Sequence, residues 1–348
     1  MLRFLVLLVS PLGAAAKFQE SDLVERCQSL SHVEIERAAY CLFLAEMTEK
    51  PDIKVLAYSH RGRALVDDGF YDLAVLNLGK ALAISPNHSD SLQYRAYAYV
   101  RLEEFGDAWR DVRKFRERDD LDNYGMIATA EATRHFDGVD AGVREFEHQI
   151  AKVGKSFPYF FRESAAVYAD MLIDAGQVSK AFTIYDRLVE IEDTTYFLEK
   201  RAGAHSRTGN YTAAIQDYEG LRGDIAARGV ERALARLYSE APAGVRDLDK
   251  ALAAALKALR SRDAGLFDIL RLVRIHSLRG DHGKAAATYL IILKDDPELF
   301  PDMKANLVRN GFATGDLEYA DQPDIQTALE QCSRSGCELF DIPDDEQN

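Results

Sequence analysis

Small and large apolar residues recur along this chain at helical spacing, and the spacing itself repeats. Between Tyr58 and Pro86 the series Tyr58, Gly62, Leu65, Gly69, Tyr71, Ala74, Leu78, Ala81 and Pro86 describes two amphipathic helices separated by a glycine turn and closed by a proline. Small residues stand where helix backbones must approach, larger ones on the faces to be buried, and the proline where the second helix must stop. A unit of this kind cannot bury its apolar face alone, so neighbours are required about 34 residues away. The next frame reads Leu92, Ala96, Tyr99, Phe105, Ala108, Val112 and Phe115, with Ala96 in place of the first glycine and no closing proline. A third is Ala165, Ala169, Leu172, Gly176, Ala181, Tyr185 and Leu188, and a fourth Leu198, Ala202, Gly209, Tyr211, Ala214, Tyr218 and Leu221. A late copy runs Ile269, Gly280, Ala285, Tyr289, Ile292 and Pro297. Weaker units surround Ala130, Gly142 and Phe146, and Ala251, Ala255 and Ala258; the second contains Pro242 and Gly244 and breaks the period.

Gly69, Gly176, Gly209 and Gly280 each precede an alanine by five residues. A glycine there can end the first helix in the left-handed region, and the alanine lets the second helix pack close. In residue type and spacing these frames resemble tetratricopeptide (TPR) repeats. The resemblance implies an all-α fold, a TPR-like superhelical solenoid of antiparallel helix pairs that serves as a binding scaffold. The expected organisation is a signal peptide over 1–16, an N-terminal cap or half-repeat over 17–54, and a repeat array over 55–300 that is degenerate near 121–155 and 222–262. Capping helices over 301–340 and an acidic disordered tail over 341–348 follow. In the cap, Leu23 to Leu30 forms the first helix, and Ala39, Phe43 and Pro51 mark the second half of a repeat.

The amino terminus changes the picture. One basic residue, Arg3, precedes the apolar run Phe4 to Val9, a breaker at Pro11-Leu12-Gly13, and Ala14-Ala15-Ala16 before Lys17. This is the layout of a secretory signal peptide with a small-residue cleavage site, and the run is too short to span a bilayer. An amphipathic leader is the alternative, against which stands the absence of charge from Phe4 to Ala16. Export to a bacterial periplasm or to the medium is the expectation, with a lumenal co-chaperone as the counterpart in a eukaryote.

Charge and cysteines narrow the function classes. A formal net charge of −14 disfavours nucleic acid and anionic membranes as partners. The basic cluster Arg110, Arg113, Lys114, Arg116 and Arg118 is interleaved with acids and reads as a solvated helix face. The four cysteines fall into two local pairs, Cys27 with Cys41 and Cys332 with Cys337, one near each end of the array. In an exported chain they suggest two disulfides clamping the end repeats, each contributing on the order of 3 kcal/mol. Metal binding and reduced buried thiols are the alternatives.

No Walker A loop, dinucleotide-binding glycine fingerprint, His-Glu-x-x-His or Gly-x-Ser-x-Gly is present. The eight histidines are scattered, and His276 and His282 lack the spacing of one helical face. No enzyme activity, cofactor or metal is expected. The partner is expected to be a protein or extended peptide. In TPR proteins the first helix of each repeat lines the concave groove, and the matching positions here include Arg63, Asp67, Gln93, Tyr97, Arg101, Asp170, Arg207 and Arg274. The family's lysine and asparagine clamp for a terminal carboxylate is replaced by Ser59, Arg63 and Tyr94, which disfavours chaperone-tail binding. Leu307 to Leu329, with Asn310-Gly311-Phe312 and Thr327-Ala328-Leu329, also resembles the short helical peptidoglycan-binding module of bacterial envelope proteins. Its glycine-rich centre is replaced by Tyr319-Ala320-Asp321-Gln322-Pro323. A weak cell-wall association through this segment is the second reading.

Overall fold

The computed structural model describes residues 19–29, 34–154, 157–158, 161–191, 195–223, 229–313 and 323–340. Among them there are eighteen α-helices and no strand. The expected signal peptide and acidic tail lie outside the described residues, as does the centre of the segment that resembles a peptidoglycan-binding module.

The chain divides into two compact units, Met1–Ile184 and Tyr185–Asn348. The first contains α1 (Glu20–Gln28), α2 (Glu34–Met47), α3 (Pro51–Asp67), α4 (Tyr71–Ile84), α5 (Ser89–Arg101), α6 (Phe105–Phe115), α7 (Asn123–Asp137), α8 (Val139–Val153), α9 (Arg162–Asp174) and the start of α10 (Val178–Ile191). The second contains the remainder of α10, α11 (Thr195–Arg207), α12 (Tyr211–Gly220), α13 (Val230–Glu240), α14 (Leu248–Ala258), α15 (Leu266–Leu278), α16 (His282–Asp295), a single 3-10 turn at Pro297–Leu299, α17 (Phe300–Arg309) and α18 (Pro323–Ser335). Within each unit most helices pack on their neighbours in sequence, and α16 packs on α18. The first helices of successive pairs also stand side by side: α3, α5, α7 and α9 in one unit, α13 and α15 in the other.

The turns show why the frame repeats. Gly69, Gly176, Gly209 and Gly280 have φ of 78°, 75°, 75° and 79°. Each donates its N–H three residues back, while the following N–H reaches five residues back, as in Phe70 to Leu65 (2.7 Å), Gln177 to Leu172 (2.8 Å), Asn210 to His205 (2.8 Å) and Asp281 to His276 (2.9 Å). These bonds satisfy carbonyls that the helix end would otherwise orphan. The frame of α5 and α6 has no glycine at this point. Glu103 takes the left-handed conformation instead, with φ 61°, and Glu104 donates to the Tyr99 carbonyl at 2.8 Å.

Close helix approach explains the other invariant of the frame. A Cβ on Gly62 would lie 2.4 Å from Leu78 Cγ, so α3 and α4 touch because position 62 has no side chain. The alanines that follow the turns, Ala74, Ala181, Ala214 and Ala285, are fully buried.

The two weaker units form regular pairs despite their sequences. Gly138, with φ 87°, is the only residue between α7 and α8. Pro242 and Gly244 lie in the longer connection between α13 and α14. Pro51, which the sequence suggests as the close of a half-repeat, opens α3 at its first turn. Its missing N–H has no helical partner to lose there.

Both expected cysteine pairs are joined. Cys27–Cys41 links α1 to α2 with a Cα separation of 4.7 Å, and both cysteines are buried with Leu23, Leu44, Ala45 and Ala57. Cys332–Cys337 links α18 to the turn after it, with a Cα separation of 5.1 Å.

Candidate functional site

On the first-helix face of the N-terminal unit, tyrosines and arginines converge from five helices. Helical spacing puts Arg63 and Asp67 one turn apart on α3, and Tyr94, Tyr97 and Arg101 on one face of α5. Tyr71 enters from the start of α4, Tyr124 from the start of α7, and Arg37 from α2.

The rings meet edge to face. Tyr97 lies 4.9 Å from Tyr124 and 6.3 Å from Tyr71 between centroids, and Tyr94 lies 5.3 Å from Tyr124. The Arg63 guanidinium stands 5.7 Å from the Tyr94 centroid and that of Arg101 5.4 Å from Tyr71. Each such contact is attractive because the ring face is electron-rich.

Asp67 is the hub. Arg37 Nη2 donates to its Oδ2 at 2.9 Å, the Tyr124 hydroxyl donates to its Oδ1, and Arg63 Nε lies 3.8 Å away. Arg37 is 1% exposed, so Asp67 supplies a counter-charge to a cation withdrawn from water. Burial pushes the Tyr94, Tyr97 and Tyr124 hydroxyls above the ordinary phenol range. They therefore remain protonated donors at neutral pH. Further along α7, burial also raises the Glu131 carboxyl, against the opposing charge of Arg134.

Four of the groove residues expected from sequence, Arg63, Asp67, Tyr97 and Arg101, come together here. Gln93 does not join them, which corrects the sequence reading. It is 1% exposed, its amide nitrogen donates to Ser89 Oγ (3.1 Å) and the Asp120 carbonyl (3.3 Å), and its oxygen accepts from Asp122 N (2.9 Å). Those bonds pin the α6–α7 connection and leave nothing for a partner. Asp170 is half-buried on α9, where its charge and that of Asp174 act on Glu131. Arg207 and Arg274 belong to the second unit. Arg207 is the exposed last residue of α11, and Arg274 pairs with Glu240 at 3.7 Å and Glu338 at 3.4 Å.

Sequence reasoning missed Arg37, Tyr71 and Tyr124 as members of this cluster. Tyr71 counts in the frame as a packing residue, Tyr124 lies in a degenerate unit, and Arg37 lies in the half-repeat. The basic run on α6 is tied to acids: Arg110 to Asp107, Lys114 to Asp111 (3.7 Å), Arg116 to Glu145 (2.9 Å) and, just beyond, Arg118 to Asp120 (3.0 Å). Among the described residues no group of three or more His, Cys, Asp or Glu side chains could hold a metal ion. No described helix is long and apolar enough to cross a membrane.

Chemically, the cluster offers flat apolar surface, phenolic hydroxyls and guanidinium donors side by side. This combination can grip an extended backbone and its side chains together.

No family model matches the chain, and no curated protein matches it significantly in sequence. Its structure is similar to that of a tetratricopeptide repeat protein from Parabacteroides merdae, with 15% identity and a TM-score of 0.51 over 65% of this chain and 86% of that one. It is also similar to a signal transduction ATPase with numerous domains (STAND) with a tetratricopeptide repeat sensor, from Pyrococcus horikoshii. There the identity is 16% and the TM-score 0.58 over 86% of this chain, which spans 52% of that protein. At such identities the likeness shows the fold: this chain is an all-α, TPR-like stack of antiparallel helix pairs.

Proposed function

We propose that this protein is an exported scaffold that binds a partner protein through an extended peptide laid on the first helices of its N-terminal unit. The observation that carries the reading is the cluster of Tyr71, Tyr94, Tyr97 and Tyr124 with Arg63 and Arg101, on the face where α3, α5 and α7 stand side by side. Arg101 is exposed, and Tyr97 and Arg63 are partly so. They are the residues assigned to contact the peptide, while Asp67 pairs with Arg63 directly and holds Tyr124 against Tyr97. The TPR-like fold supports a protein–protein role.

The test is chemical crosslinking of the native protein in its host, followed by mass spectrometry. The variant carrying Arg63→Ala, Tyr97→Ala and Arg101→Ala should keep its helical circular dichroism and lose the co-purifying partner. Undiminished recovery of that partner would refute the assignment. Export is supported by the leader at residues 1–16 and by two cysteine pairs placed for disulfides. N-terminal sequencing of the mature protein should begin at Lys17, and a mature chain that retains Met1 would remove this part of the proposal.

A further inference from the structure

The face of α15 that carries Arg274, which the sequence assigns to a groove, together with Leu270 and Ser277, is covered by the chain itself. After α18, Gly336 turns the backbone with φ 74° and the disulfide ties Cys337 to Cys332. Glu338, Leu339 and Phe340 then lie against α15, α16 and α17. Glu338 pairs with Arg274 at 3.4 Å. Leu339 is 1% exposed and sits in the core cluster with Leu270, Tyr289 and Leu307. Its carbonyl accepts from Asn306 Nδ2 at 2.9 Å, and the Phe340 ring lies 6.4 Å from that of Tyr289. A cavity of about 520 Å³ remains beside the segment, lined also by Ser277, His282 and Ser333.

These are the contacts of a docked peptide: a carboxylate on an arginine, an apolar side chain in a hole, a carbonyl on an amide donor and a ring on a tyrosine. A purely structural cap needs the apolar side chains and a partner for the buried carbonyl, but not the ion pair. The Glu338–Arg274 pair is 50% and 38% exposed, and a pair so solvated adds little stability.

We infer that this cleft is a second peptide-docking site, distinct from the tyrosine cluster and independent of it. Its partner is a protein segment carrying an acidic residue followed by two large apolar residues in extended conformation, and Glu338-Leu339-Phe340 is its resident occupant. A tethered occupant competes at a high effective concentration, so the partner's apparent affinity falls by the fraction of time the cleft is vacant. The Cys332–Cys337 bridge fixes where the resident segment enters.

The full-length protein is titrated with a fluorescein-labelled peptide of sequence Glu-Leu-Phe-Asp-Ile-Pro-Asp-Asp, read by anisotropy. Leu339→Ser loosens the resident segment and should bind the peptide about tenfold or more tighter than the unaltered chain. Adding Arg274→Ala to that variant should weaken binding about two- to fivefold. Binding that is equally weak in the unaltered chain and in Leu339→Ser would overturn the inference and leave the segment a structural cap. Should Leu339→Ser fail to fold, amide exchange on the unaltered protein decides instead. The Leu339 amide is expected to exchange about a hundredfold faster than those in the middle of α15, through local opening. Exchange at one common rate, through global unfolding, would equally overturn it.

Discussion

The Tyr124 hydroxyl of α7 donates to the Asp67 carboxylate of α3, a residue 57 positions earlier, with α5 standing between the two helices. One bond thus ties together three first helices, and it shares its acceptor with the buried guanidinium of Arg37. The two donors predict unequal consequences. Asp67→Ala takes one carboxylate from the buried Arg37 guanidinium and should destabilise the N-terminal unit by about 3 kcal/mol. Tyr124→Phe removes one hydrogen bond and should cost about 1 kcal/mol. Urea denaturation of the two variants measures both, and equal losses would contradict the hub role given to Asp67.

Glu103 supplies a second prediction. It occupies the left-handed region that glycine fills at the four corresponding turns. An L-residue there is strained by about 1–2 kcal/mol, partly offset by the extra chain entropy that glycine loses on folding. Glu103→Gly should therefore raise stability by up to about 1 kcal/mol, seen as a higher denaturation midpoint. A clear loss of stability would show that the Glu103 side chain makes a contribution larger than its backbone strain.

At Gly62 the expectation runs the other way. A methyl group would press directly on the fully buried Leu78. Gly62→Ala should destabilise by about 1–3 kcal/mol through overpacking, although alanine favours helix. Pairing it with Leu78→Ala, which opens the space, should recover part of the loss, and thermal melts of the single and double variants make the comparison. An additive double variant would mean that the contact is not the cause.

Acid sensitivity is the fourth. Burial lowers His60, His205 and His276 below the usual histidine value of 6.5, with Arg37 and Arg63 adding to the effect at His60. Below that value the unfolded chain takes up protons that the folded chain resists. Stability should be at its plateau above about pH 6.5 and decline as pH falls from there towards the lowered folded values. His60→Gln should flatten part of that slope, as followed by urea midpoints between pH 7 and pH 5. An unchanged slope would remove His60 as a contributor.

The periodic features of this protein were legible in its residues. Glycine turns and the alanines five positions later are local requirements of backbone conformation and close approach, so the helix pairs at Gly69, Gly176, Gly209 and Gly280 could be read directly. The stripe of Tyr94, Tyr97 and Arg101 follows from helical spacing alone. Contacts between repeats were not legible, because the partner's position depends on how pairs stack. Arg95 with Asp111 and Arg201 with Asp217 form the same bidentate ion pair, sixteen residues apart, in both units. Yet neither pair enters the apolar frame that reveals the repeat. Sequence assigned Gln93 and Arg274 to a groove by register. Tertiary packing committed Gln93 to the α6–α7 connection and covered Arg274 with Glu338, because buried amides and charges take whichever partners the assembled chain brings within reach. Periodicity determined the helices and their turns; packing over long separations decided which of their polar residues stay free to meet another molecule.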